Sequence, residues 1–397
     1  MKILYLVHRL PYPPNKGDKV RSYHLLKHLA ARHEVHLGTF IDDPEDEPHL
    51  PRVRELCAGL HVARLNPRTA KLMSLRGLLG GEALSLPYYR DAGLQRWVDE
   101  SAARVGFDAV VVFSGVMAQY TRGLAGVKTL VDFVDVDSAK WRDYAPEHAW
   151  PMSWLYRREF DKLLGFEQRV ASEAACSFFV TDNEVALFRE LSPGQPLRLA
   201  ALGNGVDADF FTPDPARTSP FAPQELPLVF TGAMDYWPNV DAVTWFAREM
   251  LPALRQRFPA LRFHIVGRSP APAVQALASE VVNVTGTVPD VRPYLQHAAA
   301  VVAPLRLARG LQNKVLEAMA MARPVVAAGT CVRAITADAL PGLVGAEDAA
   351  SYIDRVGTLL ADRAAADAAG RSARDFVLGA YSWEAHLSGL DRHLEAA

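Results

Sequence analysis

Cysteine, net charge and long apolar runs are all scarce in this sequence, and each scarcity excludes a class of protein. The three cysteines, Cys57, Cys176 and Cys331, are far apart and match no metal or redox spacing, so we expect buried thiols in a reducing cytoplasm. The formal net charge of the 397 residues is −2, whereas a general nucleic-acid binder usually has a basic excess. No apolar run reaches the roughly 20 residues that a membrane-spanning helix needs. The apolar stretch at residues 3–7 is too short for a signal peptide and predicts a buried first strand.

What the sequence does contain is a repeated alternation of apolar strands and amphipathic helices. This alternation is typical of α/β domains with parallel sheets, and the chain is too long for a single hydrophobic core. Residues 203–207 predict a turn-rich hinge, and a proline-rich linker follows it. We therefore expect two Rossmann-like doubly wound domains facing a central cleft, residues 1–203 and 204–380, with a C-terminal helix at 381–397 that packs back on the first domain.

A loop of turn formers follows the first strand and leads into a helix, which we predict from about Asp18 to Arg32 with Asp18 as its N-cap. Ligands of doubly wound sheets bind at the carboxyl ends of the strands. We therefore expect Gly17 and Asp18 on that rim, with Arg21 one turn into the helix, as a phosphate-side glycine loop. The alternative for Gly17 is an ordinary loop glycine.

Residues 68–81 combine Arg68, Lys71 and Arg76 with several large apolar residues. This pattern fits a basic amphipathic segment on an anionic membrane, and so a peripheral contact with the inner membrane surface. It fits as well a helix that covers the sheet with its apolar side inward, because Lys and Arg snorkel in ordinary surface helices.

The most informative stretch runs from residue 306 to residue 328. An apolar strand, a turn containing Gly310, a helix of good helix formers at 311–321 and a second strand make a βαβ unit. The start of such a helix directs N–H groups and the positive end of the helix dipole into the turn, which makes an anion site. Lys314 lies in the first turn, and Arg306 and Arg309 flank it.

Glu317 follows Lys314 three residues later, so both face roughly the same side of the helix. A nucleoside diphosphate would fit there, with its diphosphate on the N–H groups and its ribose hydroxyls donating to the carboxylate. The alternative is a surface helix with an intrahelical Lys314–Glu317 pair. Glycines at the ends of three successive predicted strands, Gly232, Gly267 and Gly286, favour the ligand site, because they permit close backbone approach at one rim.

Taken in order, these features resemble the two-domain GT-B glycosyltransferases, specifically glycosyltransferase family 4, over nearly the whole chain. The motifs are the glycine loop after the first strand, Asn204-Gly205-Val206-Asp207, Thr231-Gly232, Ile265-Val266-Gly267, Gly286-Thr287-Val288 and Lys314-Val-Leu-Glu317-Ala-Met-Ala. The segments around Gly17-Asp18, Asp135-Val-Asp137 and Tyr236-Trp-Pro238-Asn239 resemble the sugar transferases of bacterial exopolysaccharide and exosortase (PEP-CTERM) gene clusters.

The resemblance assigns donor-binding roles to the second half of the chain. It implies that Glu317 binds the ribose of a sugar nucleotide, and that Gly267 and Val288 border the base. The backbone of the turn and helix start would hold the diphosphate and sugar. The donor site predicted in this way contains Gly232, Gly267, Arg268, Val288, Gly310, Leu311, Gln312, Asn313 and Glu317.

Two departures from the family pattern change the expected phosphate contacts. The family usually has a second glutamate eight residues before Glu317, and this chain has Arg309 there. The loop after Gly232 lacks the Arg and Lys that the family often has. We infer that Lys314 and Arg309, with Arg306 as a further candidate, supply the charge that faces the phosphates. The family's contact to the sugar hydroxyls, and hence the donor sugar, does not carry over.

Polar residues after the strands of the first half predict the acceptor side. Ser114 follows one strand, Asp135 and Asp137 follow the next, and His8 follows the first. Asp135-Val-Asp137 superficially matches the metal-binding Asp-x-Asp motif of sugar transferases with a different, single-domain fold, so we reject a metal site there. We expect these carboxylates to hold acceptor hydroxyls, and the alternative is helix capping by Asp137 or Ser138.

The resemblance implies a retaining transfer of a sugar from a nucleotide-diphosphate sugar to a hydroxyl of a glycan or lipid-linked saccharide, in exopolysaccharide or other cell-surface glycan synthesis. Lys314, Arg309 and Asp135 are the catalytic candidates, no nucleophile is required, and we expect no cofactor and no metal. One alternative is a sugar-nucleotide 2-epimerase with acid–base groups among Asp135, Asp137 and His8, which would convert donor without acceptor. Another is a periplasmic sugar receptor, which the lack of an export signal disfavours.

Overall fold

The computed structural model describes residues 1–14, 17–124, 126–306, 311–336 and 339–395, and of Glu147 only the backbone. The chain divides into two compact units. Unit 1 contains Met1–Gly203 together with the C-terminal residues from His386, and unit 2 contains Asn204–Ala385.

A parallel sheet of seven strands forms the centre of unit 1. Its spatial order is β3-β2-β1-β4-β5-β6-β7. The strands are β1 (Lys2–Val7), β2 (Glu34–Ile41), β3 (Gly59–Arg64), β4 (Ala109–Phe113), β5 (Lys128–Val134), β6 (Cys176–Phe179) and β7 (Leu199–Ala201). All of the pairs between neighbouring strands are parallel.

Unit 2 repeats this design with a parallel sheet of six strands in the order β10-β9-β8-β11-β12-β13. The strands are β8 (Leu226–Thr231), β9 (Leu261–Val266), β10 (Val282–Gly286), β11 (Ala300–Ala303), β12 (Val325–Ala328) and β13 (Leu343–Ala346). In each sheet the strand order reverses beside the first strand of the unit, between β1 and β4 and between β8 and β11. Ligands of doubly wound sheets bind at such a switch point.

Helices connect the strands of both units. In unit 1 they are α1 (Gly17–Ala30), α2 (Leu50–Arg54), α3 (Pro67–Ser74), α4 (Arg76–Gly80), α5 (Ser85–Tyr88), α6 (Ala92–Val105), α7 (Asp137–Tyr144), α8 (Met152–Glu173) and α9 (Asp182–Leu191). The remaining helices are α10 (Trp237–Trp245), α11 (Leu251–Arg257), α12 (Pro272–Gln275), α13 (Arg292–His297), α14 (Asn313–Ala320), α15 (Gly329–Arg333), α16 (Ala349–Ala361), α17 (Arg363–Ala380) and α18 (Trp383–Glu395). Short 3₁₀ helices lie at Pro44–His49, Gly115–Tyr120 and Ala145–Glu147, and a π-helical turn at Phe246–Met250 joins α10 to α11.

Burial explains why the central strands were visible in the sequence. Every residue of Ile3–Val7 and of Ala300–Ala303 is buried, because helices cover both faces of a parallel sheet. Fully burying each large aliphatic side chain contributes about 1.5–3 kcal/mol. The edge strand β3 has mostly half-buried residues, so it lacks a continuous apolar run, and the sequence analysis missed it.

From His386 onward, the C-terminal helix α18 packs on unit 1. Asp391 accepts from Arg32, and its Oδ1 lies 2.8 Å from Nε2 of His28 on α1. The Lys128 ammonium at the start of β5 donates to the Leu394 carbonyl at 3.1 Å. Contacts to α1 and β5 therefore fix the end of the chain in this unit. Within the described residues, no helix is long and apolar enough to cross a membrane.

The structure tests one of the two interpretations of residues 68–81, the one in which the apolar side faces the sheet. This segment forms α3 and α4, and their large apolar side chains point outward: Leu72 is 69% exposed and Leu79 is 94% exposed. The interpretation in which the apolar side covers the sheet is therefore wrong.

Candidate functional site

The site in unit 2 begins with two glycines at the carboxyl ends of neighbouring strands. Gly232 follows β8, and Gly267 follows β9. A Cβ atom on Gly267 would lie 1.6 Å from the carbonyl oxygen of Gly232, so no other residue fits at this position. Their φ angles of 154° and 155° also favour glycine. The rim beside the switch point is therefore bare backbone, which a ligand can approach closely.

Helix α14 starts at the same rim, after β11 on the other side of β8. It begins at Asn313, and the preceding Gln312 makes no side-chain capping hydrogen bond. The first turn of an α-helix has N–H groups without intrahelical acceptors, and the helix dipole makes this end positive. The predicted helix start at 311 was two residues early, but Lys314 lies in the first turn as expected. The geometry suits an anion.

Lys314 places its ammonium at the end of β8. Nζ donates to Oδ1 of Asn239 at 2.5 Å and lies 4.2 Å from the ring centroid of Phe230. Asn239 in turn donates from Nδ2 to the Ala233 carbonyl at 2.8 Å, which fixes the orientation of its amide. A Cβ on Gly232 would lie 3.0 Å from Nζ, so the ammonium stands directly against the glycine rim. Burial lowers the pKa of Lys314 to about 8.

Glu317 lies one turn deeper on α14 and is half-buried. Burial raises the pKa of its carboxyl to about 7, and the charge of Lys314 acts in the opposite direction. Within the described residues its carboxylate has no hydrogen-bond donor and no ion pair. The predicted intrahelical pair with Lys314 is thus not formed at ion-pair distance. A carboxylate without a protein donor beside an anion site can accept from ligand hydroxyls.

The other predicted donor residues surround these groups. Arg268 is exposed at the end of β9. Val288 and Leu311 are partly buried, and each packs against the hydrophobic core of unit 2. Gln312 and Asn313 are half-buried at the start of α14. Arg309 and Gly310 lie outside the described residues.

Arg306 was predicted as a phosphate ligand and is instead paired within the protein. Its guanidinium donates to both carboxylate oxygens of Asp241 and stacks 5.0 Å from the ring of Trp245. Its charge is therefore already neutralised by a carboxylate on α10.

Arg21 in unit 1 was expected on a ligand-binding rim, and the structure places it in the core instead. Only 1% of its surface is exposed. Nε and Nη2 donate to the two carboxylate oxygens of Asp132 at 2.7 and 3.1 Å, and Nη2 also donates to the Leu202 carbonyl at 2.7 Å. These contacts occupy the guanidinium, so Arg21 ties α1 to β5 and to the end of unit 1.

Asp18 of the predicted glycine loop lies at the carboxyl end of β1, beside His8 and Arg9. Helix α1 begins at Gly17, so Asp18 is in its first turn and is not its N-cap. Burial would raise the pKa of Asp18, but His8 at 3.4 Å and Arg9 at 3.1 Å hold it well below its ordinary value. A Cβ on Gly17 would meet no atom within 4 Å, so packing does not require glycine there.

The predicted acceptor residues lie at the carboxyl ends of three strands of unit 1. The ring of His8, after β1, stacks 5.8 Å from Phe113 at the end of β4. Ser114 follows with a φ of 71° and donates its N–H to the Asp132 carbonyl of β5 at 2.9 Å. These residues are brought together by the sheet order, which places β1 beside β4 and β4 beside β5.

Asp135 and Asp137 follow β5 and share a cation that the sequence analysis missed. Lys140 donates to Asp135 at 3.0 Å and to Asp137 at 2.8 Å, and all three side chains are 39–49% exposed. Within the described residues no group of three His, Cys, Asp or Glu could hold a metal ion. The pair is thus charge-compensated and open to solvent.

Neither Asp137 nor Ser138 caps the following helix. Helix α7 begins at Asp137, and Val136 before it makes no side-chain cap. The N–H of Val136 donates to Glu184 at 2.8 Å, and the N–H and Oγ of Ser138 donate to Glu167 at 3.2 and 2.5 Å. Carboxyl groups from α8 and α9 therefore cap α7, which sequence spacing could not show.

Comparison with known proteins agrees with this architecture. Residues 225–362, most of unit 2, match the family model described as Glycosyl transferases group 1. The protein is a glycosyltransferase. A search of curated proteins found no match.

Solved structures share the fold over the full length of this glycosyltransferase. Anabaena Alr3699/HepE in complex with UDP is 16% identical with a TM-score of 0.67, and all of each chain is covered. Sucrose-phosphate synthase from Thermosynechococcus elongatus is 18% identical with a TM-score of 0.67 over 99% of this chain and 98% of that one. WaaG, a glycosyltransferase involved in lipopolysaccharide biosynthesis, is 16% identical with a TM-score of 0.64 over 99% of this chain and 100% of that one. The predicted GT-B fold, with two doubly wound parallel sheets, is confirmed.

Proposed function

We propose that this glycosyltransferase belongs to family 4 and moves a sugar, with retention of configuration, from a nucleoside diphosphate to a hydroxyl of a glycan or lipid-linked saccharide. It would act in the cytoplasm, in the synthesis of exopolysaccharide or another cell-surface glycan, and need neither cofactor nor metal. The three described cysteines are free thiols, which agrees with a reducing compartment. Unit 2 would bind the donor, and unit 1 would supply the acceptor side.

The proposal rests on two groups of the same helix, α14: the Lys314 ammonium and the Glu317 carboxylate. The Lys314 ammonium stands at the bare backbone of Gly232, with neutral groups of Asn239 and Phe230 around it. Glu317 lies one turn deeper and has no protein donor in the described part of the chain. A nucleoside diphosphate needs a positive site for its phosphates and an acceptor for its ribose hydroxyls, and α14 offers both on one side.

We propose UDP as the nucleotide, because the structure of Alr3699/HepE, with the same fold, was solved with UDP and with UDP-glucose. Gly267 and Val288 would border the uracil. The backbone at 311–313 would approach the phosphates, with Arg268 as a further cation at the rim. The predicted contacts of Arg309 and Gly310 remain part of this proposal.

The chemical step follows from where charge develops. As the sugar–phosphate bond breaks, negative charge grows on the β-phosphate, and in the proposed donor complex the Lys314 ammonium and the α14 N–H groups would face it. Donors that need no reorganisation stabilise a transition state most effectively. The departing phosphate would take the acceptor proton, so no carboxylate nucleophile is needed. Asp135, Asp137, His8 and Ser114 would orient the acceptor hydroxyl.

Titration calorimetry with UDP and UDP analogues tests the ribose contact. We expect Glu317→Ala to weaken UDP binding by about tenfold to a hundredfold, because a hydrogen bond to a charged group contributes roughly 1.5–3 kcal/mol. UDP without its ribose 2′ and 3′ hydroxyls should bind the wild type and the variant equally. Glu173→Ala, at an exposed glutamate at the end of α8, is the control. A loss of affinity that is the same for UDP and for the dideoxy analogue would contradict the ribose role.

A further inference from the structure

Helices α3 and α4 present an unusual apolar surface to solvent. Their large apolar side chains point away from unit 1 with exposed fractions of 69% for Leu72, 42% for Met73, 48% for Leu75, 37% for Leu78 and 94% for Leu79. Scattered exposed leucines are ordinary, but a contiguous cluster indicates a binding surface. We call these five residues, with the cations of the same segment, the α3–α4 surface.

All the charged residues of the α3–α4 surface are basic. The segment from Pro67 to Gly81 contains Arg68, Lys71 and Arg76 and no Asp or Glu. All three cations are exposed, and none has an ion-pair partner in the described part of the chain. Two other exposed arginines of unit 1 do have carboxylate partners, Arg64 with Glu47 and Arg90 with Glu82. Unpaired cations among exposed leucines indicate a partner that is both apolar and negatively charged.

Exposed aromatic residues adjoin this surface from another element. Arg158 on α8 donates to the carbonyls of Gly77 at 2.7 Å and Glu82 at 3.1 Å, which fixes the start of α8 against α4. Trp154 lies one helical turn before Arg158 on the same face of α8 and is 53% exposed, and Trp150, which precedes the helix, is 80% exposed. Indole rings favour the boundary between lipid and water, where one side is apolar and the other polar.

We propose that the α3–α4 surface, extended by Trp150 and Trp154, binds the face of an anionic lipid bilayer. The leucines would enter the boundary between headgroups and acyl chains, and Arg68, Lys71 and Arg76 would contact lipid phosphates. A second copy of this chain is a poorer partner, because a symmetric contact would bring the same three cations together without a counterion. The inference concerns a surface outside the donor site and does not rest on the proposed sugar transfer.

Vesicle flotation of the full chain tests this proposal. We expect binding to phosphatidylcholine vesicles that contain phosphatidylglycerol to exceed binding to pure phosphatidylcholine by about tenfold or more, and to fall with salt, because each cation near such a surface adds to the attraction. Tryptophan fluorescence should shift to the blue on binding, and the shift should shrink in Trp150→Phe/Trp154→Phe. Equal binding to both kinds of vesicle, or none, would overturn the proposal.

Two double variants separate the apolar and the charged contributions. Leu75→Ser/Leu79→Ser and Arg68→Glu/Lys71→Glu should each lower binding to anionic vesicles about tenfold or more. Arg54→Glu/Arg104→Glu, which changes the net charge equally at exposed sites elsewhere in unit 1, should bind at least several times better than Arg68→Glu/Lys71→Glu. Circular dichroism and thermal unfolding of all variants check their folding. If the wild type is a dimer that Leu75→Ser/Leu79→Ser dissociates, the surface is a self-interface and the lipid proposal fails.

Discussion

Arg21 in unit 1 and Lys314 in unit 2 occupy similar places in the two sheets but have opposite surroundings. Each lies near the start of a helix that follows a strand at the switch point, α1 after β1 and α14 after β11. Arg21 has a carboxylate partner, Asp132, and backbone carbonyls. Lys314 has a neutral amide and an aromatic ring, and its pKa is lowered to about 8 by burial. A buried cation with a counterion holds a fold together, whereas one without a counterion is available to an anionic ligand.

Removing Arg21 gives the largest effect that this comparison predicts. Arg21→Ala leaves the buried carboxylate of Asp132 without its cation, which we expect to cost roughly 3–5 kcal/mol of unfolding free energy. Urea denaturation measures it. Arg52→Ala, which breaks the exposed pair with Glu55, is the control and should change stability little. The structural role of Arg21 would be contradicted if both variants unfolded at the same urea concentration.

Lys314→Ala should show the reverse pattern, with a large effect on turnover and a small one on stability. Because the ammonium has no ion-pair partner among the described residues, its removal relieves a desolvation cost. In the proposed mechanism it also removes charge stabilisation in the transition state, which we expect to lower kcat about 100- to 1,000-fold. Radiolabelled donor and product analysis measures the rate, and the exposed Lys162→Ala on α8 is the control. A variant with near-normal kcat, or one as unstable as Arg21→Ala, would remove the distinction between the two cations.

The sequence predicted the parts of the site that depend on local pattern. The alternation of strands and helices located the glycine rim and the first turn of α14, because periodicity and turn chemistry act over a few residues. It failed for Arg21, whose partner lies 111 residues away in sequence. The contact between Asn239 and Lys314 was missed for the same reason, since it spans 75 residues. The direction of the apolar side of α3 and α4 was undecided, because an amphipathic period is the same for a helix that faces inward or outward.

Glu167 is a buried carboxyl group without a charged hydrogen-bond partner in the described part of the chain, and replacing it has the smallest predicted effect on stability. Only 2% of this residue is exposed, and its hydrogen bonds come from Ser138, which is uncharged. Burial raises its pKa from 4.5 to about 8. The folded state therefore holds a proton that the unfolded state has lost, so stability is greatest below about pH 4.5 and falls as the pH rises to about 8.

Glu167→Gln should remove this loss, because the amide cannot ionise and still accepts from Ser138. Between about pH 6 and about pH 9, we expect the wild type to lose roughly 1–3 kcal/mol relative to the variant, or about 2–4 °C in Tm for each kcal/mol. Thermal unfolding at both pH values measures the difference. Glu173→Gln, an exposed glutamate at the end of the same helix, should follow the wild type. If the Tm of Glu167→Gln and the Tm of the wild type depend on pH in the same way, Glu167 is charged in the folded state. This protein would then tolerate a buried charge without a counterion at a site that binds no ligand. The surroundings of Lys314 would in that case not mark it as a ligand site.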